Sequence, residues 1–234
     1  MNSRRFDDFD KFAQNYREIH NKNISISGED SDYFTKFKLN TISSSYKKVY
    51  EKIRILDFGC GDGNLERFIY DFFTNCKYYG IDVSKASIEK ANMIKKRNSK
   101  FELFDGENIP FQDNYFDIII VANVFHHIEF KFHKKILKEI YRVLKPSGHF
   151  YIFEHNPFNP ITRYIVKTCA FDEDAKLLYP FYTKKILKEF NYDSIQTNYI
   201  LFFPRTNFFK FFIQTEKLLK KIPIGAQYYT LSIK

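Results

Sequence analysis

The chain has no tryptophan and only three cysteines, eight glycines and seven prolines in 234 residues, and each shortage removes a class of protein. Cys60, Cys76 and Cys169 are odd in number, far apart and without C-x-x-C or Cys/His spacing. Neither a disulfide scaffold nor a zinc site is indicated, and a reducing compartment fits best. Glycine and proline are too scarce for a collagen-like or low-complexity chain. No run of about 18 apolar residues occurs. Met1-Asn2-Ser3-Arg4-Arg5-Phe6-Asp7-Asp8 lacks the apolar stretch of a signal peptide, so the expectation is a cytoplasmic protein that does not span a membrane. What is present is 44% hydrophobic and 28% charged residues, the composition of one folded domain. Two biases overlie it: 28 Phe with 17 Tyr, and 37 Lys+Arg against 28 Asp+Glu, a net charge of +9. A domain of this size buries about 70% of the surface its unfolded chain exposes, so a Phe- and Ile-rich core needs no covalent help.

Periodicity divides the chain into four stretches: a helical cap over 1–50, a core over 51–155, an insertion over 156–182 and a closing part over 183–234. Phe6, Phe9, Phe12, Ala13 and Tyr16 recur at helical spacing, and a second helix is predicted from Ser31. Strands are predicted at 53–58, 78–83, 100–103, 116–122 and 149–154, with helices after the first, second and fourth. That alternation implies a mostly parallel sheet covered on both faces. Asn156-Pro157 and Asn159-Pro160 mark turns. A helix at 183–190, a strand at 199–203, a helix at 207–220 and a last strand at 227–233 complete the prediction.

The informative stretch is Ile55-Leu56-Asp57-Phe58-Gly59-Cys60-Gly61-Asp62-Gly63-Asn64, where the first strand meets the first core helix. Glycines let the backbone turn tightly and approach a ligand, and a helix start offers unpaired N–H groups. Asp82 ends the second strand, where a carboxylate can accept ribose hydroxyls; Asp105-Gly106 follows the third. The spacing is G-x-G-x-G rather than the G-x-G-x-x-G of pyrophosphate-binding turns. The acids Asp57 and Asp62 would repel a pyrophosphate but suit a ligand carrying an ammonium and a sulfonium.

With the fourth-strand segment Phe116-Asp117-Ile118-Ile119-Ile120-Val121-Ala122-Asn123 and the later Val143-Leu144-Lys145-Pro146-Ser147-Gly148-His149, this pattern resembles a class I S-adenosylmethionine-dependent methyltransferase. The resemblance covers about residues 53–154. It implies a Rossmann-like α/β sandwich with a seven-stranded sheet whose last strand is antiparallel. It also implies S-adenosylmethionine as cofactor and S-adenosylhomocysteine as product. Gly59, Cys60, Gly61 and Gly63 would surround the methionine part, with Asp57 near its ammonium and Asp82 on the ribose. Asp105 and Gly106 would lie beside the adenine between the apolar walls Ile81 and Val83, and Asn123 would face the sulfonium. Tyr16 resembles aromatics that close over the cofactor in similar enzymes; packing on a helix face is its other reading.

Methyl transfer to a hydroxyl needs alignment and a base. His126 and His127 follow the fourth strand and Glu154-His155 ends the fifth, so His127, His126 and His155 are the candidate bases, with Glu154 orienting a histidine or binding an acceptor hydroxyl. Spacing supports no metal cluster. Glu154-His155-Asn156-Pro157-Phe158-Asn159-Pro160, Thr162-Arg163, Phe171-Asp172-Glu173-Asp174-Ala175 and Ile222-Pro223-Ile224-Gly225-Ala226-Gln227-Tyr228 resemble a bacterial subgroup associated with surface-glycan or secondary biosynthesis. Its Asn amides would meet an acceptor rich in hydroxyls or carbonyls, so the expected acceptor is a sugar or glycan-linked hydroxyl.

Two other functions compete: an RNA methyltransferase, argued from the charge, and a noncatalytic S-adenosylmethionine-binding protein. Charge placement disfavours nucleic acid. Residues 51–84 carry 4 basic and 6 acidic groups and 101–130 carry 0 and 6, whereas the excess lies in 85–100, 131–149 and 184–234. The helix bearing Phe208, Phe209, Phe211 and Phe212 with Lys210, Lys217, Lys220 and Lys221 is read as core, as the seam of a homodimer, or as a peripheral membrane contact; both monomer and homodimer stay open.

Overall fold

The computed structural model describes residues 16–96, 98–205 and 209–234. The expected helix through Phe6 to Ala13, the side chain of Tyr16, and Asn207 and Phe208 lie outside what it describes. Helices α1 (Tyr16–Ile24) and α2 (Ser31–Ser45) precede the sheet, and α2 starts where the Asp30 carboxylate accepts from the Tyr33 N–H at 2.9 Å. Then follow β1 (Ile53–Phe58), α3 (Glu66–Phe72), β2 (Cys76–Asp82), α4 (Lys85–Ile94), β3 (Ser99–Leu103), β4 (Phe116–Ala122), α5 (Phe130–Val143) and β5 (Leu144–His155). Helices α6 (Pro160–Thr168) and α7 (Pro180–Leu187) lead to β6 (Ser194–Ile200), the short α8 (Lys210–Ile213) and α9 (Glu216–Leu219), and β7 (Gln227–Ile233).

The seven strands lie in the order β3-β2-β1-β4-β5-β7-β6, and only β7 runs against the rest, as expected. Alternation in β4 explains the layers. Ile118 and Ile120 face one side with Ile55, Tyr78 and Phe153, under Leu39 and Ile42 of α2 and Ile69 of α3. Ile119 and Val121 face the other side with Leu56 and Ile152, under Ile136, Leu137 and Ile140 of α5. All four β4 residues are fully buried, each contributing roughly 1.5–3 kcal/mol of burial. The direction of winding changes between β1 and β4. Pairing of Phe58 with Val121 and of Ala122 with Phe153 sets the ends of β1, β4 and β5 side by side at that point, where such sheets open a ligand crevice.

Two predicted elements differ. The sixth strand is Ser194–Ile200, earlier than 199–203, because the apolar run beyond it turns away. Leu201 adopts φ 61°, and the N–H groups of Phe202 and Phe203 donate to Glu216 Oε1 at 2.9 and 3.1 Å. Arg205 grips the same carboxylate with two bonds of 2.8 Å, an arrangement no ladder could satisfy. The expected long helix over 207–220 is two short turns. Within it Phe209 and Phe212 pack on Phe203, while Phe211 points to solvent.

Candidate functional site

The glycine turn leaves β1 with φ of 75° at Gly59, 52° at Gly61 and 80° at Gly63, the left-handed region that other residues avoid. A Cβ on Gly59 would stand 2.5 Å from Val124 Cγ2, so this position is closed sterically as well as conformationally. A Cβ on Gly61 would meet nothing within 4 Å, which marks open space over the turn. The turn is tied to β2: Gly59 and Cys60 donate to the Ile81 carbonyl at 2.8 and 3.1 Å, and Gly61 donates to Asp82 Oδ2 at 2.8 Å. The other Asp82 oxygen accepts from the Ser84 N–H at 2.9 Å at the start of α4. Asp82 thus aligns turn and helix and stands at the strand tip where the sequence placed it. Val83 is half-buried beside it.

Asp57 lies beneath the turn, buried, and accepts the Tyr78 hydroxyl. Burial drives its carboxyl up to about 7, with the Tyr78 bond opposing, Asp82 adding and Lys38 opposing. Lys38 is the residue that sequence reasoning missed. It sits on the face of α2 formed by Thr35, Leu39 and Ile42, and a lysine at that spacing was the available signal. Burial pulls its ammonium down to about 8, against the pull of Glu154 and Asp57. Cys60 is buried, and burial with the nearby Asp82 and Asp57 raises its thiol well above its ordinary range, so it packs as a neutral side chain. Asp62 does not face a ligand alone: it pairs with Arg17 at 2.7 Å and Lys90 at 3.6 Å.

Asp105 is exposed, and its carboxylate accepts from the Glu107 and Asn108 N–H groups at 2.7 Å and from the Asn108 amide at 2.8 Å. These bonds hold it below its ordinary range and order the loop around the buried Gly106, whose φ is 79°. Asn123, just past β4, has φ 57°, and its Oδ1 is buried without a hydrogen-bond partner among the described residues.

The expected bases come together in one cluster. A single turn (Phe125–His127) follows β4, and Glu154 on β5 holds it: Oε1 accepts the Phe125 N–H at 2.9 Å and Oε2 meets His126 Nδ1 at 2.6 Å. Asp172, from the one-turn helix Ala170–Asp172 after α6, lies 3.5 Å from His126 Nε2 and 3.3 Å from His127 Nε2. The His155 ring stands 5.3 Å from that of His126. Burial disfavours the charge on His126, but Glu154 and Asp172 outweigh it and raise the imidazole to about 9. Burial and the adjacent His126 lower His127. Burial alone would raise Asp172, yet its bonds to the two histidines hold it well below the carboxylate range. The cluster therefore contains a charged His126, ion-paired on two sides, and a neutral His127.

One expectation needs correction. The Asn-Pro amides do not reach toward an acceptor. Asn156 Nδ2 donates to the carbonyls of Pro223 and Gly225 at 3.1 and 2.7 Å, and its Oδ1 accepts from Phe158. Asn159 Oδ1 caps α6 at Thr162, and its Nδ2 bonds Ile224 O. Both are spent bracing the lid against 223–225. Spacing indicated no metal-binding group; in the fold, ligand atoms of His126, His127 and Asp172 lie within 4.8 Å of one another.

A family model described as a methyltransferase domain matches residues 56–152. The uncharacterized methyltransferase YcgJ of Bacillus subtilis is 28% identical over 158 residues, covering 65% of this chain and 56% of that protein. The sterol 24-C-methyltransferase of Kluyveromyces lactis is 30% identical over 167 residues, covering 64% of this chain and 44% of that one. The chain thus spans about half the length of these curated relatives. A solved S-adenosylmethionine-dependent methyltransferase from Archaeoglobus fulgidus aligns with a TM-score of 0.68 at 17% identity, over 88% of this chain and 95% of that one. The turn, the sheet order and the matched segment coincide: residues 56–152 match the methyltransferase-domain family, and the sheet around them has the fold of solved S-adenosylmethionine-dependent methyltransferases.

Proposed function

We propose that the chain is an S-adenosylmethionine-dependent methyltransferase acting on a hydroxyl of a small polar acceptor, a sugar or glycan-linked hydroxyl first, with His127 as base. The residues fit the cofactor: open space over Gly61, acidic groups at Asp57 and Asp82, and Asn123 Oδ1, an oxygen suited to a sulfonium and without a hydrogen-bond partner among the described residues. Bound there, S-adenosylmethionine supplies a methyl group on positively charged sulfur. The observation that carries the reading is the His126–Glu154–Asp172–His127 cluster at the strand ends.

Asp172 accepting from His127 Nε2–H selects the tautomer whose Nδ1 is basic, and the lowered proton affinity keeps that imidazole neutral. With the cofactor bound, His127 Nδ1 would take the acceptor hydroxyl's proton as the hydroxyl oxygen receives the methyl group. Glu154 positions the turn by bonding His126 and the Phe125 N–H. The sugar assignment rests on the subgroup resemblance, since the Asn amides that favoured it are engaged elsewhere. Apolar exposure at Phe158, Ile161 and Tyr164 on the lid, with the sterol methyltransferase match, favours an apolar acceptor as the second reading. No helix among the described residues is long and apolar enough to cross a membrane.

Calorimetry should detect S-adenosylhomocysteine binding, and a methyl-label screen over nucleotide sugars, glycans, sterols and tRNA identifies the acceptor class. His127→Ala should lower turnover about 100-fold or more with cofactor affinity unchanged. Equal turnover of the variant on the accepted acceptor removes His127 from the base role.

A further inference from the structure

The histidine cluster has properties that a base alone does not require. His126, His127 and Asp172 line a small cavity of about 30 Å³ together with Asn123, His155 and Cys169. That volume holds a single water or ion. A tetrahedral ion with bonds of about 2.0–2.1 Å to nitrogen and oxygen sets its ligand atoms about 3.3 Å apart. The separations from Asp172 Oδ1 are 3.3 Å to His127 Nε2 and 3.5 Å to His126 Nε2. Behind His126, Glu154 Oε2 meets Nδ1 at 2.6 Å, the carboxylate–histidine pairing that turns Nε2 toward a metal and strengthens it as a ligand. Asn123 Oδ1, buried and without a hydrogen-bond partner among the described residues, belongs to a residue lining the same cavity.

We propose that His126 Nε2, His127 Nε2 and Asp172 form a binding site for one divalent transition-metal ion, zinc by donor type, with a fourth position left to water or Asn123 Oδ1. Nitrogen and carboxylate donors in this number select zinc and its neighbours over magnesium or calcium, which demand more oxygen ligands. The ion and the proposed base exclude each other. Coordination expels the Nε2 proton of the charged His126 to solvent, and at His127 Nε2 it moves that imidazole's proton onto Nδ1, the nitrogen assigned to the acceptor's proton. Zinc therefore silences transfer, and the site is inhibitory. Ion binding itself does not depend on the methyltransferase reading; only its consequence for transfer does.

The test uses the full chain freed of metal by chelator, titrated with zinc chloride by calorimetry and with cobalt(II) chloride by absorption. One equivalent of each should bind, cobalt giving visible ligand-field bands without a thiolate charge-transfer band. Asp172→Asn and His127→Gln should each weaken zinc binding at least ~10-fold, and Glu154→Gln by about 10–100-fold. Cys169→Ser should leave it unchanged. S-adenosylhomocysteine binding by each variant reports that it is folded, and Glu154→Gln serves if a ligand variant does not fold. No ion bound by the wild type, equal binding in Asp172→Asn and His127→Gln, or loss in Cys169→Ser would overturn the site. A protein that binds S-adenosylhomocysteine but no zinc refutes the ion site alone. One that binds zinc but no S-adenosylhomocysteine refutes the transfer reading alone.

Discussion

Replacing Asp57 with asparagine should stabilise the protein above neutral pH and leave its stability nearly unchanged in acid. Asp57 is buried with the Tyr78 hydroxyl against it, and burial raises its carboxyl from 3.8 to about 7. The folded state therefore holds a proton that the unfolded chain releases as pH rises past 3.8. Wild-type stability falls through that window, and the loss is complete above about 7. Each tenfold change in proton affinity is worth about 1.4 kcal/mol, so the full loss is on the order of 4 kcal/mol. Asparagine keeps an oxygen for Tyr78 and carries no charge. The gap between variant and wild type should open from near zero at about pH 4 toward that value at about pH 8. Urea denaturation at a series of pH values measures it. A gap that stays flat across the window, or a variant less stable than wild type at the alkaline end, refutes the assignment of a costly buried carboxyl. The same group links stability to ligand. A cofactor ammonium near Asp57 favours the carboxylate, so S-adenosylhomocysteine should release a proton near pH 6 in the wild type and none from Asp57→Asn. Calorimetry in buffers of different ionisation enthalpy resolves that proton.

Two further outcomes follow from the geometry. Gly59→Ala places a methyl 2.5 Å from Val124 Cγ2 at φ 75°; the backbone cost alone is roughly 1–2 kcal/mol, and S-adenosylhomocysteine affinity should fall more than about tenfold, whereas unchanged affinity would separate the turn from the cofactor. Asn156→Ala removes the braces to Pro223, Gly225 and Phe158; thermal unfolding should report a loss on the order of 2–3 kcal/mol with cofactor affinity intact, and an unchanged melting temperature would return Asn156 to the acceptor side.

Much of the glycine turn and its strand-tip geometry was legible because its determinants are local. The apolar run before Gly59, the three glycines and Asp82 at the end of β2 are each set by residues within one strand–turn–helix unit, and the structure joins them through the Gly61–Asp82 bond. The C-terminal part was less legible. Leu201 to Phe203 has strand composition, but Glu216 and Arg205 settle its path, and their pairing is a contact between separate elements. The acceptor side suffered most. Asn156 and Asn159 are polar residues in a turn, and nothing local indicates that they would spend their amides on 223–225.

The sequence by itself determined the layered parallel sheet, the glycine turn and the acidic strand tips, since two-residue and helical periodicities and glycine's freedom act over a few neighbouring residues. Only the tertiary structure decided which charges meet. It buried Lys38 near Asp57 and Glu154, and it carried Asp172 from the lid onto His126 and His127. Electrostatics depends on distance and burial in space, so the protonation of the histidines, and their fitness to hold an ion, emerge only when the ends of two strands and the lid are packed together.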